Sequence, residues 1–559
     1  ASEAAAQQDP TAPRYPHVVW KEKPAQRAIV VWTTIEKGSN PRVYFDTTSR
    51  GGDLEAYRYQ VEAKRSVAEF QDEAWFHHGV LEGLHPSTEY YFVVETSGET
   101  TEERHFETAP ADDRPFKLLY GGDSRSNPDS RRRVNKRIRS LIDSDDQIIG
   151  LAHGGDYVQS GMVWEQWKSW MEDWKLTTSE DGEVVPIIPG RGNHEFSTAA
   201  LNDEVDNYNA IFGFPGGSEL DYWTTKLGSQ VAFITLDTNG TLGGDQRNWL
   251  EDQLETHTAD RKWIVANYHR PAYPAVKSPG AARQHWVPLF EEYDVDLVCE
   301  SDGHVLKRTV PIRDGKQADD GIVYVGEGGL GVKQRSPDEH WYLDKPGMAR
   351  SGHHVQVLSF GPDELTYEAV LADGTSADTA TFEPRRQGTS RAVEIDEVHT
   401  PSRRRLEVDF NQGLAPGPIS EGGAAFSIAP QVAVESIEMH EDYDDYVVVE
   451  TAKLEEDTEY TLEATGIEDL NGESASGPLT ATFEIASSDG AADSPGDVDR
   501  STGGDAPDAA ADTPPENSGG QVGNSSSDSG CSTTPAVPSP TSVLGFLAVG
   551  LLVGRRRGG

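Results

Sequence analysis

Gly192-Asn193-His194-Glu195 closes an apolar run, Val184-Val185-Pro186-Ile187-Ile188, that reads as a buried strand. Working outward, the same form recurs. Gly122-Asp123 follows Lys117-Leu118-Leu119-Tyr120, and Gly155-Asp156 follows Gln147-Ile148-Ile149-Gly150-Leu151. His269 comes just after Trp263-Ile264-Val265-Ala266, and Asp302-Gly303-His304 follows the apolar stretch holding Cys299. Carboxylate, amide and imidazole groups delivered from strand ends are hard and borderline ligands for divalent metals. Two such metals about 3.5–4 Å apart form a hydrolytic clamp for phosphate esters.

Helical patterns lie between several of these strands, as in Val163-Trp164-Glu165-Gln166-Trp167-Lys168-Ser169-Trp170 and Trp249-Leu250-Glu251-Asp252-Gln253-Leu254. Alternating strands and helices predict an α/β layered domain over 112–385, with ligands bound beyond the strand ends. The tryptophans at 164, 167 and 170 have helical spacing and read as core. Before that domain, residues 15–111 read as short strands separated by turns, among them Ala28-Ile29-Val30-Val31-Trp32 and Tyr90-Tyr91-Phe92-Val93-Val94, which predicts a β-sandwich. Residues 390–486 are strand-like again, residues 1–14 read as disordered, and 487–540 form an Asp/Gly/Ser/Pro-rich disordered acidic linker.

At 559 residues the chain is too long for one core. Its 49 Lys and Arg against 94 Asp and Glu give a net charge of −45, which excludes a nonspecific nucleic-acid binder, since that needs a basic footprint. A phosphate substrate must then be drawn in by local positive charge, such as metal. Only two cysteines, Cys299 and Cys531, are present, so a disulfide framework is excluded. The start at Ala1 is consistent with a signal peptide already removed.

The order Gly-Asp, Gly-Asp, Gly-Asn-His-Glu, isolated His and a His-containing turn resembles the calcineurin-like metallophosphoesterases, in their purple-acid-phosphatase-like branch. The resemblance implies a central four-layer α/β sandwich. It also implies two divalent metals (manganese, zinc, iron, magnesium or calcium) and hydrolysis of a phosphate ester by a metal-bridging hydroxide. Carried onto this chain, it makes Asp123, Asp156, Asn193 and His269 metal ligands, Asp156 the bridge, and His194 the catalytic group near the leaving oxygen. Leu81-Glu82-Gly83-Leu84-His85-Pro86-Ser87-Thr88-Glu89-Tyr90-Tyr91 resembles the corner of fibronectin type III modules, which such enzymes often carry before the catalytic domain. Tyr460-Thr461-Leu462-Glu463-Ala464 and the Gly466-Ile467-Glu468-Asp469-Leu470-Asn471-Gly472 that follows resemble bacterial Ig-like modules.

The departures from that pattern are specific. Where the family closes with Gly-His-x-His, this chain reads Ser301-Asp302-Gly303-His304 in the gapless register, or Gly303-His304 with Leu306 at a ligand position if a gap is allowed. The gapless register keeps Arg308-Thr309 aligned and makes Asp302 a ligand of the second metal and His304 of the first. Gln159 stands where the purple enzymes place tyrosine, so no iron–phenolate colour is expected. Arg125 stands where many relatives place histidine, leaving the first metal only Asp123, Asp156 and His304. Arg125 and Arg270 are candidates to clamp phosphate, and Tyr273 to line the cleft.

The tail runs Gly530-Cys531-Ser532, an apolar stretch from Val543 to Val553, then Arg555-Arg556-Arg557, with the short membrane segment and arginine cluster in 541–559. The apolar run falls short of the ~20 residues a permanent spanning helix needs. The layout resembles myxosortase-type sorting signals. It implies a processing protease as partner, membrane contact only through this segment, and export to a bacterial cell surface or outer membrane. The competing function class is a surface adhesion or binding protein with a degenerate phosphoesterase domain, since flanking β-sandwiches and an acidic stalk suit display.

Overall fold

The structure is a computed structural model that describes residues 9–70, 73–195, 207–213, 221–388, 392–420, 422–440, 443–456, 458–470 and 474–485. All of these fall within the unit Ala1–Thr502. Residues 1–8, the expected linker 487–540 and the apolar and arginine segment 541–559 lie outside the described residues. Among the described residues no helix is long and apolar enough to cross a membrane.

Two sheets face each other across the centre of the chain. The first runs, edge to edge, Ser376–Phe382, Leu365–Leu371, His354–Phe360, Phe116–Gly121, Ile148–His153, Ile187–Pro189, Arg14–Val19, Arg27–Thr34, Ala74–Glu82 and Arg65–Glu69. The second runs Trp223–Leu227, Val231–Thr235, Trp263–Tyr268, Leu297–Glu300, Val323–Gly326, Leu306–Arg308 and Met348–Arg350. Their inner faces share one core, in which Leu118, Tyr120 and Ile188 meet Phe233, Val265 and Cys299. Near-continuous apolar strands such as Trp263–Tyr268 are buried on both faces, as parallel strands between helical layers must be.

Helices cover the outsides. Pro128–Ile142 and Trp164–Trp174 lay Val134, Ile138, Trp167 and Trp170 on the first sheet. Asp245–Asp260 and Val287–Glu292 lay Leu250, Leu254 and Phe290 on the second. The result is the expected α/β/β/α layering; of the three tryptophans read as core, Trp167 at 0 % and Trp170 at 1 % exposure are buried, while Trp164 is only partly buried against that cluster.

The first sheet does not end where the α/β pattern begins. Arg14–Val19 pairs in parallel with Ile187–Pro189 and antiparallel with Arg27–Thr34, so the N-terminal strands extend the central sheet. The N-terminal region completes its sandwich with a second sheet built on Arg42–Asp46 and Glu89–Thr96. Residues 392–485 form a separate pair of sheets, of four and three strands, around Leu406, Val408, Phe426, Val447 and Leu462. That pair docks against the rest of the unit where the His85 ring stacks on Tyr443 at 3.7 Å and Arg114 joins Asp112 to Asp444.

Candidate metal centre

Phe116–Gly121 and Ile148–His153 are parallel neighbours with Gly121 opposite His153, so Asp123 and Asp156 leave the sheet at the same edge. Trp263–Tyr268 and Leu297–Glu300 are parallel neighbours in the facing sheet, with Tyr268 opposite Glu300, and deliver His269 and the turn Asp302–His304 to the same place. Asp123, Asp156, Asp302 and His304 all hold left-handed backbone, with φ of 58°, 60°, 68° and 63°. Such conformations are disfavoured for side chains other than glycine, and they concentrate where a structure turns the chain sharply to aim a functional group. Gly155 makes the approach of two loops possible: a Cβ there would collide with the backbone of Gly192. The Asp156 turn therefore lies directly against the turn that carries Asn193 and His194.

The ligand atoms of Asp123, Asp156 and His269 lie within 4.8 Å of one another, and all three residues are buried. His269 Nε2 is 3.2 Å from Asp156 Oδ1 and 3.7 Å from Asp302 Oδ1. His304 Nε2 is 3.3 Å from Asp123 Oδ1. Asp302 thus has its carboxylate on the His269 side and His304 its ring on the Asp123 side. Leu306 is fully buried in the core between the sheets. Half-buried Asn193 sits between Gly192 and His194, whose backbone N–H donates to Asp156 Oδ1 at 3.1 Å.

A divalent metal fits this donor set. Asp123 Oδ1 and His269 Nε2 are buried and make no hydrogen bond, and each belongs to a residue of the triangle. His269 Nδ1 donates to the Gly154 carbonyl at 2.7 Å, which fixes the tautomer and leaves Nε2 as a donor atom. Burial opposes charge on this ring, but Asp156, Asp123 and Asp302 outweigh it and lift its pKa to about 10. The field that holds a proton there is one that favours a metal cation, and the two compete for the same lone pair. Burial raises the Asp156 carboxyl, yet His269, His194 and Arg125 hold it well below the usual range. Asp302 is likewise lowered, with His269 and Lys277 overcoming its burial.

Residues 103–306 match the family model of calcineurin-like phosphoesterases. Residues 13–108 match the purple acid phosphatase N-terminal domain. An uncharacterized protein of Mycobacterium tuberculosis is 26 % identical over 361 residues, covering 57 % of this chain and 64 % of its own length. Purple acid phosphatase 23 of Arabidopsis thaliana is 25 % identical over 323 residues, covering 50 % of this chain and 67 % of its own. The chain thus spans just under two thirds of the mycobacterial relative. Among solved structures, the purple acid phosphatase PPD1 of yellow lupin (Lupinus luteus) superposes with a TM-score of 0.56 at 19 % identity, over 67 % of this chain and 75 % of that one. That likeness shows a shared fold.

Around the Asp123–Asp156–His269 triangle, the other residues singled out in the sequence fall into place differently. His194 is half-buried, with Nδ1 bonded to the Gln159 carbonyl at 2.6 Å and Nε2 3.7 Å from Asp156 Oδ2. Arg125 is buried on Asp156, its Nε 2.9 Å from Oδ2. Arg270 is exposed at the end of the His269 strand. Tyr273, expected on the cleft, is instead 3 % exposed in the core, packed between Tyr324, Tyr342 and the Arg283 guanidinium.

Three contributors went unassigned in the sequence. The Glu195 carboxylate, last in Gly-Asn-His-Glu, accepts backbone N–H groups from Asp156, Tyr157, Val158 and Gly192, and burial with nearby Asp156 lifts its pKa to about 7. Its place in the motif was the one available signal. Lys277 forms an ion pair with Asp302 Oδ1. Lys307, fully buried, pairs with Glu300 and Glu327 beneath the Asp302–His304 turn, and Glu327 accepts the His304 N–H through its carbonyl. Nothing in the local sequence marks either lysine.

Proposed function

We propose that the central domain hydrolyses phosphate esters with a divalent-metal centre at the ends of its two facing sheets. The observation that carries this reading is the triangle of Asp123, Asp156 and His269, in which the buried Asp123 Oδ1 and His269 Nε2 make no hydrogen bond. Asn193, Asp302 and His304 stand beside it as further donors, and the mixed oxygen and nitrogen set suits manganese, zinc or iron, with magnesium or calcium compatible with its carboxylates. A metal held there supplies Lewis-acid polarisation of a phosphoryl oxygen and acidifies a water.

The protein groups divide the remaining work. Glu195 ties the Asp156 and Asn193 turns together, so the donors keep their spacing before substrate arrives. His194, whose Nδ1–H donates to the Gln159 carbonyl, holds Nε2 3.7 Å from Asp156 Oδ2, and it would pass a proton to the leaving oxygen only after Nε2 has itself taken one up. Exposed Arg270 draws the phosphate towards a chain whose overall charge would repel it. Gln159 occupies the place of a colour-giving phenolate, so the metal-loaded protein is colourless. The C-terminal segment, read as a sorting signal, supports export of this activity to a bacterial cell surface or outer membrane, with the expected Ig-like region 390–486 as a spacer.

The test is Asp156→Asn. Hydrolysis of an aryl phosphate should fall to background while far-ultraviolet circular dichroism is unchanged. Turnover near that of the unsubstituted protein would refute the reading.

A further inference from the structure

Two cationic side chains reach into the carboxylate cluster. The Arg125 guanidinium is buried. Its Nε lies 2.9 Å from Asp156 Oδ2, one terminal nitrogen lies 3.4 Å from His304 Nε2, and the other binds Ser126 Oγ and Gln159 Oε1. Lys277 pairs with Asp302 Oδ1. A guanidinium does not lose its proton in a protein, so Arg125 is a permanent charge at this position.

That charge sits where a first metal of a two-metal clamp would have to sit. The donors on that side are Asp123, Asp156 and His304, and Arg125 engages two of them, Asp156 through Oδ2 and His304 through Nε2. Asp156 has therefore committed one oxygen to the guanidinium and turned the other towards His269. On the His269 side no guanidinium intrudes: His269 Nε2 makes no hydrogen bond, lies 3.2 Å from Asp156 Oδ1 and 3.7 Å from Asp302 Oδ1, and shares the triangle with Asp123. Charge points the same way. Among the donors themselves, the carboxylates of Asp123, Asp156 and Asp302 exceed the two cationic side chains that touch them, Arg125 and Lys277, by a single negative charge. A second dication against a buried guanidinium would meet like-charge repulsion at short range in a site poorly screened by water.

We propose that this chain builds a mononuclear centre, with one divalent cation in the Asp123–Asp156–His269 triangle and the Arg125 guanidinium in place of the other metal. The inference rests on the metal-dependent reading of the same site. It makes Arg125 part of the centre's charge rather than a free clamp for substrate.

The experiment is a count. The full chain is stripped with chelator, loaded with excess Mn(II), desalted and analysed for metal per chain by mass spectrometry. One equivalent is expected, with the six-line spectrum of isolated Mn(II) in low-temperature electron paramagnetic resonance. Two equivalents, or the spectrum of a coupled pair, would overturn the mononuclear centre and leave metal-dependent hydrolysis standing. No bound metal after loading with Mn(II), Zn(II) and Fe(II) in turn would overturn both. Arg125→His exchanges the fixed cation for a neutral donor and should raise the count to two. If that variant folds and still binds one, Arg125 is not what excludes the second metal.

Discussion

Glu195 accepts the backbone N–H of Asp156 at 2.8 Å, and with the same oxygen the N–H of Gly192 at 3.0 Å. One buried carboxylate thus sets the distance between two ligand-bearing turns that come from different strands. It touches neither the proposed metal nor substrate and is a positioning residue. Groups of this kind typically cost about 10–100-fold in metal affinity when removed. Glu195→Ala should weaken Mn(II) binding by that order in isothermal titration calorimetry. Glu195→Gln, which keeps the volume and one acceptor, should recover part of the loss. Unchanged affinity in the alanine variant would show that the turns hold their spacing without it.

The register of the closing turn makes two opposite claims. Leu306 is 0 % exposed in the core between the sheets. Leu306→His should add no metal and should cost about 2–4 kcal/mol in urea unfolding, because it buries an imidazole without a partner. Asp302 faces His269. Asp302→Ala should lower metal affinity, and Asp302→His should restore it with a shift towards zinc. A gain of metal in Leu306→His would instead favour the gapped register.

Beneath that turn, Lys307 is the only cation that pairs with both Glu300 and Glu327 among the described residues, and all three are 0 % exposed. Burial pushes the Glu327 carboxyl up to about 8 even with Lys307 beside it. Lys307→Met would leave the carboxylates without their partner, and breaking such a pair costs about 3–5 kcal/mol. Equilibrium unfolding should show a loss of that size, with metal affinity falling as the turn loosens.

These residues also mark the limit of what the sequence showed. The positions of Asp123, Asp156 and His269 were legible because each follows an apolar run long enough to be a buried strand, and strand ends are where such sheets place their ligands. The tryptophan helix was legible from its spacing alone. What local pattern does not encode is which distant charge meets which. Arg125 with Asp156, Lys277 with Asp302 and Lys307 with Glu300 are contacts fixed by the packing of the layers. Tyr273 shows the opposite error. Its place three residues after Arg270 left the cleft open to it, but the chain turns inward there and the ring is taken up by Tyr324 and Tyr342. The pairing of Arg14–Val19 with Ile187–Pro189, which carries the central sheet on into the N-terminal region, was equally invisible, being a long-range register.

Two histidines away from the centre give a pH dependence of stability. His354 is buried, donates Nδ1–H to the Gly352 carbonyl at 2.8 Å, and has its pKa lowered to about 4 by that burial. His77, stacked on Trp32, is lowered by burial to about 4 as well. Both are neutral in the fold and take up a proton more readily when unfolded. Their contribution is complete above the ordinary histidine pKa of about 6.5 and is lost as pH falls from there towards about 4. Unfolding free energy measured from pH 7 to 4.5 should fall over this window, and His354→Gln should fall less steeply. An identical slope in the variant would remove His354 from the account.

The central claim is that Asp123, Asp156 and His269 hold a divalent metal on which phosphoester hydrolysis depends. It is tested most directly by following p-nitrophenyl phosphate hydrolysis by the full chain, first stripped with chelator and then titrated with Mn(II), Zn(II) or Fe(II). The account predicts background rates after stripping, with activity returning in proportion to bound metal for at least one of these ions. Full turnover by protein shown to be free of metal would contradict it.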